Sequence, residues 1–125
     1  MNDPAETSGP LLLRGIQTRQ AIARFAGNEE RYRHWLTEFI SHGPTAAGQI
    51  REAIAQGSAE QAIKLSHALK GRAGMLGMAE LHSIAQSLEM TLRNQEPCTL
   101  WLEELERTVA EISQEISSVL GEGRI

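Results

Sequence analysis

The amino-acid sequence predicts an all-α fold: an antiparallel up-down-up-down four-helix bundle with a short additional N-terminal helix. Three features predict it. The 125-residue chain has the size of one domain, and its few aromatics (4%) stand beside abundant Ala, Leu, Ile, Glu and Gln, a mixture that favours helices packed by aliphatic side chains. Its apolar residues recur at steps of three and four, with no strand-like alternation and no internal repeat. Gly and Pro separate the periodic segments by only a few residues, as the connections of a bundle require.

The elements follow in order. Residues 1–15, with their Pro, Gly, Ser and Thr, lack periodicity and read as a flexible lead-in. Ile16, Ala21, Ile22 and Phe25 then mark a short helix, and Gly27 stands where a left-handed C-terminal cap belongs. Asn28 is placed to cap a second helix, Glu29 and Glu30 suit its first turn, and Tyr32, Trp35, Leu36, Phe39 and Ile40 form its apolar face. Gly43-Pro44 interrupts that pattern before Ala47, Ile50 and Ile54 resume it, so the segment to Gln56 is predicted as one broken or kinked helix. Ser58 and Gln61 have the spacing of a capping box for a helix from about Ala59 to Leu76, which Gly77 ends. Leu81, Ile84, Ala85, Leu88 and Leu92 define the next helix, from Ala79 to Asn94, before Pro97. From Thr99, Leu102, Leu105, Val109, Ile112, Ile116 and Val119 make a sustained seam. The short connections before it favour packing inside a bundle over a coiled coil between chains. The bundle domain is thus expected over residues 16–121, with a tail at 122–125.

Twelve basic residues against sixteen acidic ones give a formal charge of −4 without a basic block, which argues against nucleic acid or an anionic membrane surface as partner. The single cysteine, Cys98, can form no internal disulfide and has no His/Cys cluster for zinc, which suits a reducing compartment. No apolar run approaches the roughly 18 residues that span a bilayer, and the N-terminus lacks a signal-peptide pattern. The expected location is the cytoplasm, for a freestanding protein or a cytosolic module of a longer one.

One histidine stands out. In the helix from Ala59, the residues Ala62, Leu65, Leu69, Ala73 and Leu76 fall within about 40° of one direction, whereas His67 falls about 160° from Leu69. His67 is therefore predicted to face solvent, with Gly71 and Gly74 beside it and Lys70 about 100° round. Each glycine inside a helix costs about 1 kcal/mol relative to alanine, so something requires bare backbone there. A close-packed neighbouring helix is one cause; the other, favoured by the outward direction of both glycines, is a partner that must approach the imidazole. Ile63 and Met78 would add an apolar docking surface, with Lys64 next to Ile63. On the following helix His82, Gln86, Glu89 and Arg93 lie about 100–160° from the core direction and could line the edge facing His67. Imidazole can form covalent intermediates, a lysine one turn away can stabilise a transferring phosphoryl group, and a carboxylate can fix the ring tautomer.

The run Ser66-His67-Ala68-Leu69-Lys70-Gly71-Arg72-Ala73-Gly74-Met75-Leu76-Gly77, continued by Leu81 and by Leu88-Glu89, resembles the signature of the histidine phosphotransfer (HPt) family of bacterial multistep phosphorelays. The stretch Ala23–Tyr32 is also similar to the start of that domain in hybrid sensor kinases, so the resemblance covers about residues 16 to 120. It implies a helical bundle without kinase or phosphatase chemistry of its own, which relays phosphoryl groups between receiver-domain aspartates. His67 would be the phosphoacceptor through Nε2, Lys70 would contact the phosphoryl group, and Glu89 would hydrogen-bond Nδ1 and orient the ring. Gly71 would leave room for the receiver domain, with Gln86 and Arg93 at the rim. Arg72, a long cation where the family is often small, departs from the pattern and would add a phosphoryl or receiver contact. The implied partners are response-regulator receiver domains and a hybrid sensor histidine kinase. The implied state is a monomer with no cofactor or metal of its own, Mg²⁺ belonging to the receiver.

Three other readings explain less. In a sensor-kinase dimerisation domain the histidine is typically followed by an acidic residue and, a few positions on, a proline; here Ala68-Leu69-Lys70 follow, and no Gly-rich phosphate loop is present. The pairs Glu30/His34 and Glu38/His42 lack the Glu-x-x-His spacing of di-iron bundles. A helical adaptor without phosphotransfer leaves His67, Lys70 and the glycines without a purpose.

Overall fold

The computed structural model describes residues 18–121, which form five α-helices and no strand. They are α1 (Thr18–Arg24), α2 (Glu29–Ala55), α3 (Ala59–Met75), α4 (Ala79–Arg93) and α5 (Thr99–Gly121). The lead-in at 1–15, Ile16 and the tail at 122–125 lie outside the described residues. Each long helix packs on two others: α2 on α3 and α5, and α4 on α3 and α5. Joined by short connections, they close a four-helix bundle to which α1 is appended through α2.

Periodicity gives the core directly. All six residues of the α5 seam are buried, as are Leu81, Ile84, Ala85, Leu88 and Leu92 of α4. On α2, Tyr32, Leu36, Phe39, Ala47 and Ile50 are buried, while Trp35, Ile40 and Ile54 are half-buried at the margin. Ala62, Leu69 and Ala73 of α3 and the following Leu76 point inward; Leu65 is half-buried. No helix among the described residues is long and apolar enough to cross a membrane.

Two expected helix signals act differently. α2 runs through Gly43-Pro44 without a break. Gly43 is buried because the Phe39 ring lies against it, so closely that a Cβ there would meet Phe39 Cζ at 2.6 Å. The glycine seats a core aromatic, and Pro44 is exposed, where water can reach the carbonyl that loses its usual donor. Ser58 stands at the α3 N-cap, yet its side chain makes no capping bond. Asn28 does cap α2, its Oδ1 accepting from the Arg31 N–H at 3.0 Å.

The end of α3 is anchored from two sides. The buried Tyr32 hydroxyl donates to the Leu76 carbonyl at 2.9 Å, its ring meets Phe25 edge-on with centroids 5.8 Å apart, and burial holds the phenol well above its ordinary pKa. Arg24 Nη1 donates to the Gly74 carbonyl at 2.6 Å. Tyr32→Phe leaves the Leu76 carbonyl without this donor and is expected to cost about 1–2 kcal/mol. Urea denaturation checks this, with an unchanged slope showing that only stability has moved.

Candidate functional site

The site forms where α3 and α4 lie side by side. His67 projects from the middle of α3 with 64% of its side chain exposed, and opposite it Glu89 of α4 keeps only 7%. Ring and carboxylate meet along one edge, with His67 Nδ1 3.2 Å from Glu89 Oε2 and 3.4 Å from Oε1. An ionised carboxylate only accepts, so Nδ1 carries the proton and donates, leaving the Nε2 lone pair on the outer edge of the ring.

Glu89 is held by two cations as well. Lys70 Nζ lies 3.1 Å from Oε1, and Arg93 donates to Oε2 from Nε at 3.1 Å and from Nη2 at 2.8 Å. Burial pushes the Glu89 carboxyl up, but hydrogen bonds from Arg93 and Lys70, the charge of Lys70 and the bond from His67 outweigh it, so its pKa lies below the ordinary carboxylate range. The carboxylate thus stays charged at neutral pH although it is buried. Lys70, 23% exposed, stands beside the imidazole as a compact cation within a side-chain rotation of any anion added to the ring.

The glycines divide. A Cβ at Gly71 would meet nothing within 4 Å, and the residue is exposed one turn from His67, so this backbone is open to an approaching surface. Gly74 is half-buried and packs against α4: a Cβ there would meet His82 Nδ1 at 3.1 Å. His82 Nδ1 in turn lies 3.0 Å from the Lys70 carbonyl, donating to it across the α3–α4 contact. The expectation that both glycines bare the surface for a partner is therefore corrected for Gly74, whose missing side chain makes room for a neighbouring helix.

Met78 is corrected too. It is fully buried, because α3 ends at Met75 and Gly77, with φ +79°, turns the chain so that Met78 swings into the core ahead of α4. A helical projection does not continue past the helix end. Arg72 is half-buried with its guanidinium 5.7 Å from the centre of the Trp35 ring, a cation–π contact toward α2. Ile63 is half-buried and Lys64 exposed; with Glu60, Leu92 and Arg93 they line a groove between the start of α3 and the end of α4. Gln86 is exposed on α4. Among the described residues no group of three or more His, Cys, Asp or Glu side chains is placed to hold a metal ion.

Two features of the site escaped sequence reasoning. Arg93 grips Glu89 from within α4, a bond whose signal is the Glu-to-Arg spacing of four in the favourable order. Ser66, beside the histidine, is fully buried with its hydroxyl unpaired; its signal is the spacing of four from Ala62 and three from Leu69, which sets it on the core face of α3.

A helical bundle that displays one pinned, nucleophilic imidazole on an open face has the form of a covalent group carrier. A family model described as the Hpt domain matches residues 34–119, most of the chain, and the protein belongs to this family. Hpt domains serve in histidine phosphotransfer within phosphorelays and lack kinase activity; they work with receiver domains and kinases. Comparison with curated proteins and with solved structures gave no match.

Proposed function

We propose that this protein carries a phosphoryl group on His67 Nε2 between receiver-domain aspartates in the cytoplasm. The observation that carries the reading is the pairing of an exposed ring with a buried carboxylate on Nδ1. The Nε2 lone pair attacks phosphorus in line as the bond from phosphorus to the aspartyl oxygen breaks, its electron pair leaving with the aspartate carboxylate. Nδ1 keeps its proton, the ring becomes cationic, and the negative Glu89 balances that charge. The reverse step starts from this phosphoimidazolium, whose ring is a good leaving group because it departs neutral.

Lys70 turns from Glu89 to the phosphoryl oxygens as they arrive, and Gly71 lets the receiver surface close on the ring. Ile63, Lys64 and Gln86 contact the receiver around this centre, while Met78 stays in the core and Arg72 acts by supporting Trp35. The receiver contributes its own acidic pocket and Mg²⁺, so the protein needs no cofactor, and its partner on the donor side is a hybrid sensor histidine kinase. A monomer suffices for this work.

The test is a chase. A phosphorylated receiver domain is incubated with the protein, removed, and replaced by a second, unphosphorylated receiver. Label that moves onto the protein and then onto the second receiver fits a relay carrier. Stable binding of a receiver with no movement of label points instead to a helical adaptor.

A further inference from the structure

The grip of Arg93 on Glu89 exceeds what receiver docking requires. A residue that serves only a partner at the rim extends its guanidinium outward, yet here both Nε and Nη2 turn back onto Oε2, the carboxylate oxygen closest to His67 Nδ1. Lys70 occupies Oε1, so the two cations hold opposite ends of one buried carboxylate. They differ in what the reaction asks of them. A phosphoryl group on Nε2 draws the compact ammonium of Lys70 toward itself, whereas the planar fork of Arg93, anchored one turn along the same helix as Glu89, has no need to move. If Lys70 alone neutralised Glu89, its departure would leave a buried carboxylate with the imidazole as its only strong partner, and the pair would rotate or share its proton differently.

We propose that Arg93 is a positioning residue for His67 that acts through Glu89: it keeps the carboxylate charged and turned edge-on to the ring throughout transfer, so that Nδ1 retains its proton and Nε2 remains the nucleophile. This rests on the phosphotransfer reading of His67. The Arg93 side chain is 56% exposed, so its replacement leaves the bundle core untouched.

The experiment compares wild type, Arg93→Gln, Arg93→Lys, Glu89→Gln and the Arg93→Gln/Glu89→Gln double variant, with helicity checked by circular dichroism. Two quantities are read: the ¹⁵N shifts of the His67 ring nitrogens, and the rate of His67 phosphorylation by phosphoramidate, a small donor with no docking surface. In Arg93→Gln the ring shifts are expected to move toward a mixture of tautomers and the rate to fall about tenfold, because both guanidinium bonds to Oε2 are lost. Arg93→Lys should recover part of both, and in the Glu89→Gln background the Arg93→Gln change should add almost nothing. Wild-type shifts and rate in Arg93→Gln overturn the proposal, as does an undiminished loss in the Glu89→Gln background, which makes Arg93 a direct contact of the donor. Failure of wild type to become phosphorylated at His67 overturns the carrier reading instead, and the ring shifts still decide whether Arg93 governs the tautomer.

Discussion

His67→Gln is expected to abolish phosphoryl acceptance while helicity and thermal midpoint stay at wild-type values. The two halves of this result come from separate features of the site. Acceptance is lost because glutamine offers an amide in place of a ring nitrogen lone pair. Stability is kept because the side chain is 64% exposed; surface changes of this sort stay within about 0.5 kcal/mol. The glutamine amide can also donate to Glu89 in place of Nδ1–H, so the buried carboxylate is not abandoned. His34 and His42 lie on the exposed side of α2, and His82 is engaged with the Lys70 carbonyl. Label retained by the variant would therefore reveal a second acceptor. Circular dichroism together with transfer from a phosphorylated receiver reads both halves at once.

Gly71→Gln produces opposite signs in two assays. Glycine within a helix is less favourable than glutamine by about 0.5–1 kcal/mol, and a Cβ at this position meets nothing within 4 Å, so the variant should be more stable than wild type. The same open space is where a receiver must come to bring its aspartyl phosphate in line with Nε2, and a side chain there holds the two surfaces apart. A displacement of about 1 Å suffices to slow such a step by roughly a hundredfold. Transfer from a receiver should fall by that order, while phosphorylation by phosphoramidate continues at the wild-type rate. A more stable protein with unchanged receiver transfer would remove Gly71 from the docking surface. Gly74→Ala is the contrast: its Cβ presses on His82 at 3.1 Å, so its first effect falls on the α3–α4 contact.

The residues that sequence periodicity reads well are those in the middle of helices. The α5 seam and the α4 stripe are buried as their spacing demands, and His67 faces outward because its angle from Leu69 is set by helix geometry alone. What the chain conceals is where a second helix lies. Gly74 looks outward on a projection of α3, yet α4 comes close there and His82 takes the space. Met78 falls on the outward side only when that projection is continued beyond Met75, whereas the chain turns at Gly77. Gly43-Pro44 has the composition of a break, but the ring of Phe39 needs a residue without a side chain four positions on, and burial of that ring keeps the helix continuous. Within the site, residue types and spacing brought forward His67, Lys70 and Glu89; that Lys70 and Arg93 share the two oxygens of Glu89 depends on side-chain geometry that spacing does not fix.

Locating the phosphoryl group tests the role of His67 as carrier most directly. The wild-type protein is labelled by a phosphorylated receiver domain, digested under alkaline conditions that preserve phosphohistidine, and the labelled peptide is sequenced by tandem mass spectrometry. One acid-labile phosphoryl group is expected, on His67, and it disappears when an unphosphorylated receiver is added. A phosphoryl group on His34, His42 or His82, or one on His67 that no receiver can remove, would contradict that role.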